Sequence, residues 1–300
     1  MTSNTTVSKC LTGRKDKQVE SFWSSIFKQF RKNKLAVVSF YVLLVIILAC
    51  IFVPIFSPYT MEQTNMQEKS LPPSAAHWFG TDDIGRDLFT RLFVGGRISL
   101  GISLAVVALE CVIGILLGTL AGYYGGFVDG LIMRIADIFL CFPFLIICIT
   151  IVSIFSSGPV TLIVTLAVLS WPSIARIVRA QILSLRELEY MEACEALGIS
   201  DSRRMFRHLL PNVMAYVIVY ATLGIAGTIL TETSLSFLGM GIRFPIPTWG
   251  NLIQAARNPA VLDKYWWYWV PSGVAIFLTV MCWNIIGDAL RDAVDPKMKR

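Results

Sequence analysis

The residues able to do chemistry in this chain are few and scattered. It has only two histidines, His77 and His208, and neither a Gly-x-Ser-x-Gly nor a His-Glu-x-x-His stretch. The nucleophile elbow of a hydrolase and the metal pair of a zinc protease are therefore both missing. Cys10, Cys50, Cys111, Cys141, Cys148, Cys194 and Cys282 show no zinc-site spacing, and they read as small buried apolar side chains. Asp82, Asp83, Arg86 and Asp87 crowd together, but not at the positions of a twelve-residue calcium loop. A loop that pairs its own charges is the expectation. No Gly-x-x-x-x-Gly-Lys-Ser/Thr loop occurs to cradle nucleotide phosphates. The sequence thus nominates no catalytic residue and no metal set, and a membrane-embedded hydrolase is disfavoured. Two carboxylates stand out for another reason. Glu110 and Glu232 lie inside apolar segments, where an ionised side chain is costly and faces a bundle interior, a partner or water. Both are candidates for shaping a transport pathway. The alternative for Glu232 is a structural hydrogen bond.

The elements that must hold these residues are membrane helices. Of 300 residues, 55% are hydrophobic and 15% charged, too apolar for an ordinary soluble domain. Leu35–Phe56 runs 22 residues without a charge, enough to cross a hydrocarbon core of roughly 30 Å. Similar stretches at Ile98–Tyr123, Ile135–Phe155, Val160–Val178, Val213–Leu238 and Val270–Ile286 predict an all-α integral membrane protein with six transmembrane helices. Segments Met1–Lys34, Trp171–Asn212 and Gly287–Arg300 hold 18 Lys and Arg, against seven in Ser57–Arg97 and Gly239–Trp269. The positive-inside rule then puts both termini in the cytoplasm and the two histidines on opposite sides of the membrane. The polar, basic start does not resemble a cleaved signal peptide. The net charge of +6 is explained by this topology, with no nucleic-acid motif beside it.

The resulting organisation is a cytoplasmic segment 1–34, a first span 35–56, an exterior loop 57–97, a core 98–291 of five further spans, and a cytoplasmic tail 292–300. Phe22, Trp23, Ile26, Phe27 and Phe30 share a helical face away from Lys28, Arg31 and Lys32, the pattern of a helix lying on membrane lipid or packed on a partner. Gly114, Gly118 and Gly122 form a stripe for close helix packing. Pro143 and Pro172 are expected to kink their helices. Asp137 is expected to pair with Arg134, and Tyr265 through Trp269 to form an aromatic belt.

The segment between the fourth and fifth spans is the most distinctive. It reads Glu192-Ala193-Cys194-Glu195-Ala196-Leu197-Gly198, then, nine residues on, His208-Leu209-Leu210-Pro211. Two short helices with a turn are predicted. Gly198 takes the left-handed position, Ser200 or Asp201 caps the second helix, and Pro211 opens the next span. Met205, Phe206, Leu209 and Leu210 form its apolar face, ringed by Arg203, Arg204 and Arg207.

Here the sequence resembles the permeases of bacterial ATP-binding-cassette importers, whose inner loop reads Glu-Ala-Ala, three residues, Gly, nine residues, Ile-x-Leu-Pro. Cys194 and His208 depart from that pattern. A narrower resemblance is to the second permease subunit of the peptide and nickel importer branch. It rests on His77-Trp78-Phe79-Gly80-Thr81-Asp82, Gly85-Arg86-Asp87, Arg97-Ile98-Ser99-Leu100, His208-Leu209-Leu210-Pro211-Asn212, Leu235-Ser236-Phe237-Leu238-Gly239 and the stretch from Gly287-Asp288 to Asp295-Pro296. The resemblance implies a non-catalytic subunit of a bacterial cell membrane, paired with a second homologous permease, two cytosolic ATPase subunits that bind the ATP and Mg, and an exterior substrate-binding protein. It also implies that the loop 187–211 contacts the ATPase through Glu192, Ala193, Glu195, Ala196, Gly198, Arg203, Phe206, His208, Leu210 and Pro211. Peptides are the expected cargo. Nickel or a metal chelate is the alternative cargo, and an ATP-independent secondary transporter the alternative class.

Overall fold

The computed structural model describes residues 29–155 and 158–294. The amphipathic pattern at 22–28, Cys10 and the residues from Asp295 onward lie outside the described residues. Helix α1, Lys34–Phe56, opens on Asn33, whose side chain accepts from the Ala36 amide at 3.2 Å. Only Ala36, Ser39, Leu43 and Cys50 of α1 are buried, so most of its surface is left to lipid.

The next helix, α2, spans Leu88–Tyr124, 37 residues and about 55 Å long. It starts ten residues before the predicted Ile98. The cause is its cap: Asp87 accepts from the Thr90 amide at 2.8 Å and the Thr90 hydroxyl at 2.7 Å, which fixes the first turn well beyond the apolar stretch. Protein, not lipid, surrounds the added turns, where Thr90 and Arg91 are buried.

The predicted third span is not one helix. Gly126–Cys141 (α3) and Phe144–Phe155 (α4) meet at 87°. Pro143 sits at the break, where it lacks an amide donor and restricts the residue before it. Pro172, by contrast, lies within a continuous helix, α5, that runs from Pro159 to Arg186, eight residues past the predicted end. Among the described residues, five helices have the length and composition of membrane spans, and the bent pair supplies a sixth when counted as one.

The glycine stripe of α2 packs on α5. A Cβ on Gly114 would stand 2.1 Å from Ile174, on Gly118 2.5 Å from the Ala175 carbonyl, and on Gly122 2.8 Å from Ile182, so glycine alone allows this approach. The main core continues through Val178, Ile182, Leu209, Val213, Ile225, Ile229 and Ile276. These come from α5, from Leu209 in the turn just ahead of a helix α7 over Leu210–Phe237, from α7 itself, and from the last helix, α8, over Val270–Val294.

At one end of the bundle, the cap end, residues 57–87 pack against 239–269. The aromatic run sits here and packs in part against the loop 70–80. Only Trp266 is exposed. Tyr268 is buried and donates to the Ser70 hydroxyl at 2.7 Å, and burial pushes its phenol up to about 12, keeping it a neutral donor. Trp267 lies against Gly80. A buried phenol needs a polar partner, and the loop offers one where lipid does not. The opposite end, the elbow end, carries residues 187–211.

Candidate functional site

The elbow begins where α5 ends at Arg186. Helix α6, Glu189–Ala196, follows at once. Its end is a Schellman motif: the Ile199 amide donates to the Cys194 carbonyl at 3.1 Å and the Gly198 amide to that of Glu195 at 2.9 Å, with Gly198 at φ +69°. That is the left-handed turn expected of this glycine. Ser200 takes the cap position of the next turn with extended backbone, yet its side chain makes no capping bond.

The second short helix is not separate. Asp201–Arg203 leads through a π-helical turn, Arg204–Leu209, into α7. Pro211 accounts for this: it has no amide to give, and its ring would strike the carbonyl four residues back, so the chain widens by one residue per turn. The Leu210 amide accordingly donates to the Met205 carbonyl, five residues back.

This arrangement splits the predicted apolar face. Met205 and Leu209 turn inward and are buried, as are Met191 and Cys194 on α6. Phe206 turns outward, 47% exposed, and Leu210 is half-buried. Glu192, Ala193, Glu195, Ala196, Gly198, Arg203 and Pro211 are all on the surface, with His208 half-buried. Leu197 is 79% exposed, and Leu188 and Tyr190 are exposed beside it. The elbow therefore presents a rigid outer face in which apolar side chains alternate with carboxylates.

The arginine that organises this face is Arg204, not Arg203. Its Nη1 lies 2.9 Å from Glu195 Oε2 and its Nη2 2.5 Å from Asp201 Oδ1. Its guanidinium stands 5.8 Å from the centre of the Tyr123 ring, and the Tyr123 hydroxyl donates to Asp201 at 2.9 Å. The end of α2, α6 and the lead-in to α7 are thereby tied at one point. Arg186 adds a bond of 2.8 Å to the Tyr123 carbonyl. Sequence spacing places three arginines here but cannot tell which faces Tyr123, because that tyrosine is 81 residues away.

Glu232 is sealed in the interior. It is 0% exposed, accepts from Ser236 at 2.8 Å and Ser99 at 3.3 Å, and has the Thr248 hydroxyl as a further partner. Ser99 in turn accepts the Trp249 amide at 3.1 Å. These bonds fit the structural alternative for Glu232, joining α2 to α7 and to the turn before Trp249. Glu110 is also interior, 2% exposed, with the Ser170 hydroxyl as partner and Gly224 beside it. Asp137 pairs with Arg176 instead of Arg134, and Asp129 with Arg179. Both pairs fasten the bent α3 to α5, since Ala136 and Ile132 turn that face of α3 onto Trp171 and Ala175.

The cap end pairs part of its charge, as its sequence suggested for Asp82, Arg86 and Asp87 but not for Asp83. His77 Nδ1 meets Asp87 Oδ1 at 2.9 Å and Arg86 Nε meets Asp82 Oδ2 at 2.6 Å. Thr81 donates to the Glu68 carbonyl. Among the described cysteines five are buried and Cys141 is exposed, so the reading of all as interior fails at Cys141, beside the break at Pro143.

A bundle of apolar spans joined by such an elbow is the architecture of an integral membrane permease. Residues 114–300 match the family described as binding-protein-dependent transport system inner membrane component, and the chain belongs to that family. Residues 21–73 match the N-terminal transmembrane domain of oligopeptide transport permease C. Among relatives, the oligopeptide transport system permease protein OppC of Bacillus subtilis (strain 168) is 40% identical over 93% of this chain and 91% of its own. The dipeptide transport system permease protein DppC of Alkalihalophilus pseudofirmus is 42% identical over 92% and 90%. The glutathione transport system permease protein GsiD of Pectobacterium atrosepticum is 38% identical over 95% and 94%. A chain of the inward-facing MetNI methionine ABC transporter has the same fold, with a TM-score of 0.55 at 21% identity over 68% of this chain and 96% of that one.

Proposed function

We propose that this chain is one transmembrane half of an ATP-driven peptide importer in a bacterial cell membrane, with both termini and the elbow 187–211 in the cytoplasm. It pairs with a second homologous permease. Two ATPase subunits supply the energy, with ATP and Mg bound on them, and an exterior binding protein delivers the peptide. The observation that carries this reading is the elbow's outer face. Leu188, Leu197 and Phe206 stand exposed on a turn held from behind by Arg204 and by buried Met191, Met205 and Leu209. A rigid amphipathic element with an unpaired apolar side suits insertion into a groove on a partner. The names of the relatives support peptides as cargo.

In this mechanism ATP-driven closure of the ATPase pair pushes on the elbow, and the elbow moves α5 and α7, the two helices it joins. The motor thus biases a two-state element through a single contact. Labelled di- to hexapeptide uptake by cells carrying the intact chain, no chain, or Gly198→Asp tests it. Uptake should require the intact chain and fail in the variant while ATP hydrolysis continues. Equal uptake in all three would overturn the peptide assignment.

A further inference from the structure

A cleft of about 630 Å³ opens at the cap end between the stretch 82–91 and the segment 244–261. Its wall holds Asp82, Asp83, Arg86, Arg91 and Arg257 together with the Phe244 ring. These charges are of two kinds. Asp82 and Arg86 satisfy each other, and Arg86 also lies over Phe244 at 5.7 Å. Asp83, Arg91 and Arg257 form no ion pair among the described residues.

Arg91 is the unusual one. It is 1% exposed. Its Nη1 donates to the Met61 carbonyl at 2.7 Å and the Pro245 carbonyl at 3.4 Å, while Nε and Nη2 have no acceptor. A buried guanidinium with two idle donors is costly. The idle pair is the Nε–Nη2 edge, the fork that takes a carboxylate through two parallel bonds; it lies under the cleft wall with almost no accessible surface, so an entering carboxylate parts that wall to reach it.

We propose that this cleft is a binding site for the charged ends of a zwitterionic peptide. The peptide carboxylate meets Arg91 with Arg257 beside it at the mouth, and the ammonium end is held by Asp83. The unpaired charges, two positive and one negative, complement such a molecule. The volume falls in the range of small-ligand sites, about 300–1,000 Å³. A buried floor favours the slim end of a peptide over the broad surface of a binding protein, which is the other source of a carboxylate. The inference rests on the peptide-import reading and adds to it a second point of recognition on the permease.

The test is direct binding of labelled trialanine to the assembled permease complex in nanodiscs, without binding protein, competed by trialanine or by its C-terminal amide. The free acid should bind about tenfold more tightly than the amide. Arg91→Lys, which keeps the charge and loses the fork, should erase that preference. Asp83→Asn and Arg257→Gln alter exposed side chains that leave the fold intact, and each should weaken trialanine about threefold. Equal affinity for acid and amide in the unaltered complex, or a preference that survives Arg91→Lys, would overturn the site. So would a loss confined to capture of the binding protein, which would assign the carboxylate to that protein. Peptide uptake by intact cells separates the two readings: uptake without direct binding sinks the cleft alone, and no uptake sinks the importer reading as well.

Discussion

The two ends of the molecule solve opposite problems. At the cap end, polar side chains are buried and answer one another: His77 with Asp87, Asp82 with Arg86, Thr81 with the Glu68 backbone. At the elbow end, apolar side chains are exposed and unanswered, with Leu197 and Phe206 standing out from a turn whose opposite face is packed. A cap whose buried charges mostly pair holds its own shape, whereas apolar groups left open on an elbow make a surface suited to a partner. Two glycines in the left-handed region mark the contrast. At Gly85, φ +78°, a Cβ would sit 1.8 Å from the Asn65 carbonyl oxygen, while at Gly198, φ +69°, it would meet nothing within 4 Å.

The comparison can be broken first at Gly85. Gly85→Ala combines left-handed strain with a clash against backbone, and should cost about 3 kcal/mol. Thermal unfolding in detergent measures it, and a variant as stable as the parent would mean the cap is looser than its packing shows. Next comes Asp87→Ala. It removes the cap of α2 and leaves His77 and Thr90 without their partner, a loss of about 2–3 kcal/mol by the same assay. Gly198→Ala should cost only about 1 kcal/mol, because strain is the sole penalty where space is open. A loss as large as at Gly85 would erase the distinction between the two ends. The smallest effect on stability belongs to Phe206→Ala, within about 0.5 kcal/mol. That variant should nevertheless lose most of its co-purification with the ATPase subunits. Full retention would remove Phe206 from the docking face.

Much of the elbow was legible because its signals are local. Whereas Pro211 marks a π turn inside a continuous helix and not the opening of a new one, the Schellman turn at Gly198 follows from one residue type at one position. The same holds for the glycine stripe, whose spacing is a property of a single helix, although its partner α5 appears only in the fold. The start of α2 at Leu88 was missed because an apolar stretch reports where lipid begins, not where hydrogen bonding begins, and Asp87 had been counted as loop charge. Phe206 and Met205 belong to one broad apolar sector, but even a regular helix sets neighbours about 100° apart, and the packing of the bundle turns Met205 inward and leaves Phe206 outside.

What the sequence by itself determined is the membrane class, the number of apolar stretches, the uneven charge of the segments between them and the elbow with its turn glycine. These depend on composition and on short spacings, which every copy of the chain carries whatever it packs against. Tertiary structure alone decided that Arg204 and not Arg203 ties the elbow to Tyr123, and that Asp137 reaches Arg176. It alone sealed Glu232 among Ser99, Ser236 and Thr248, and left Arg91 with an unpaired fork under the wall of a cleft. Each of these joins residues far apart in the chain, and a buried charge is defined by what surrounds it, so only the packed bundle fixes its role.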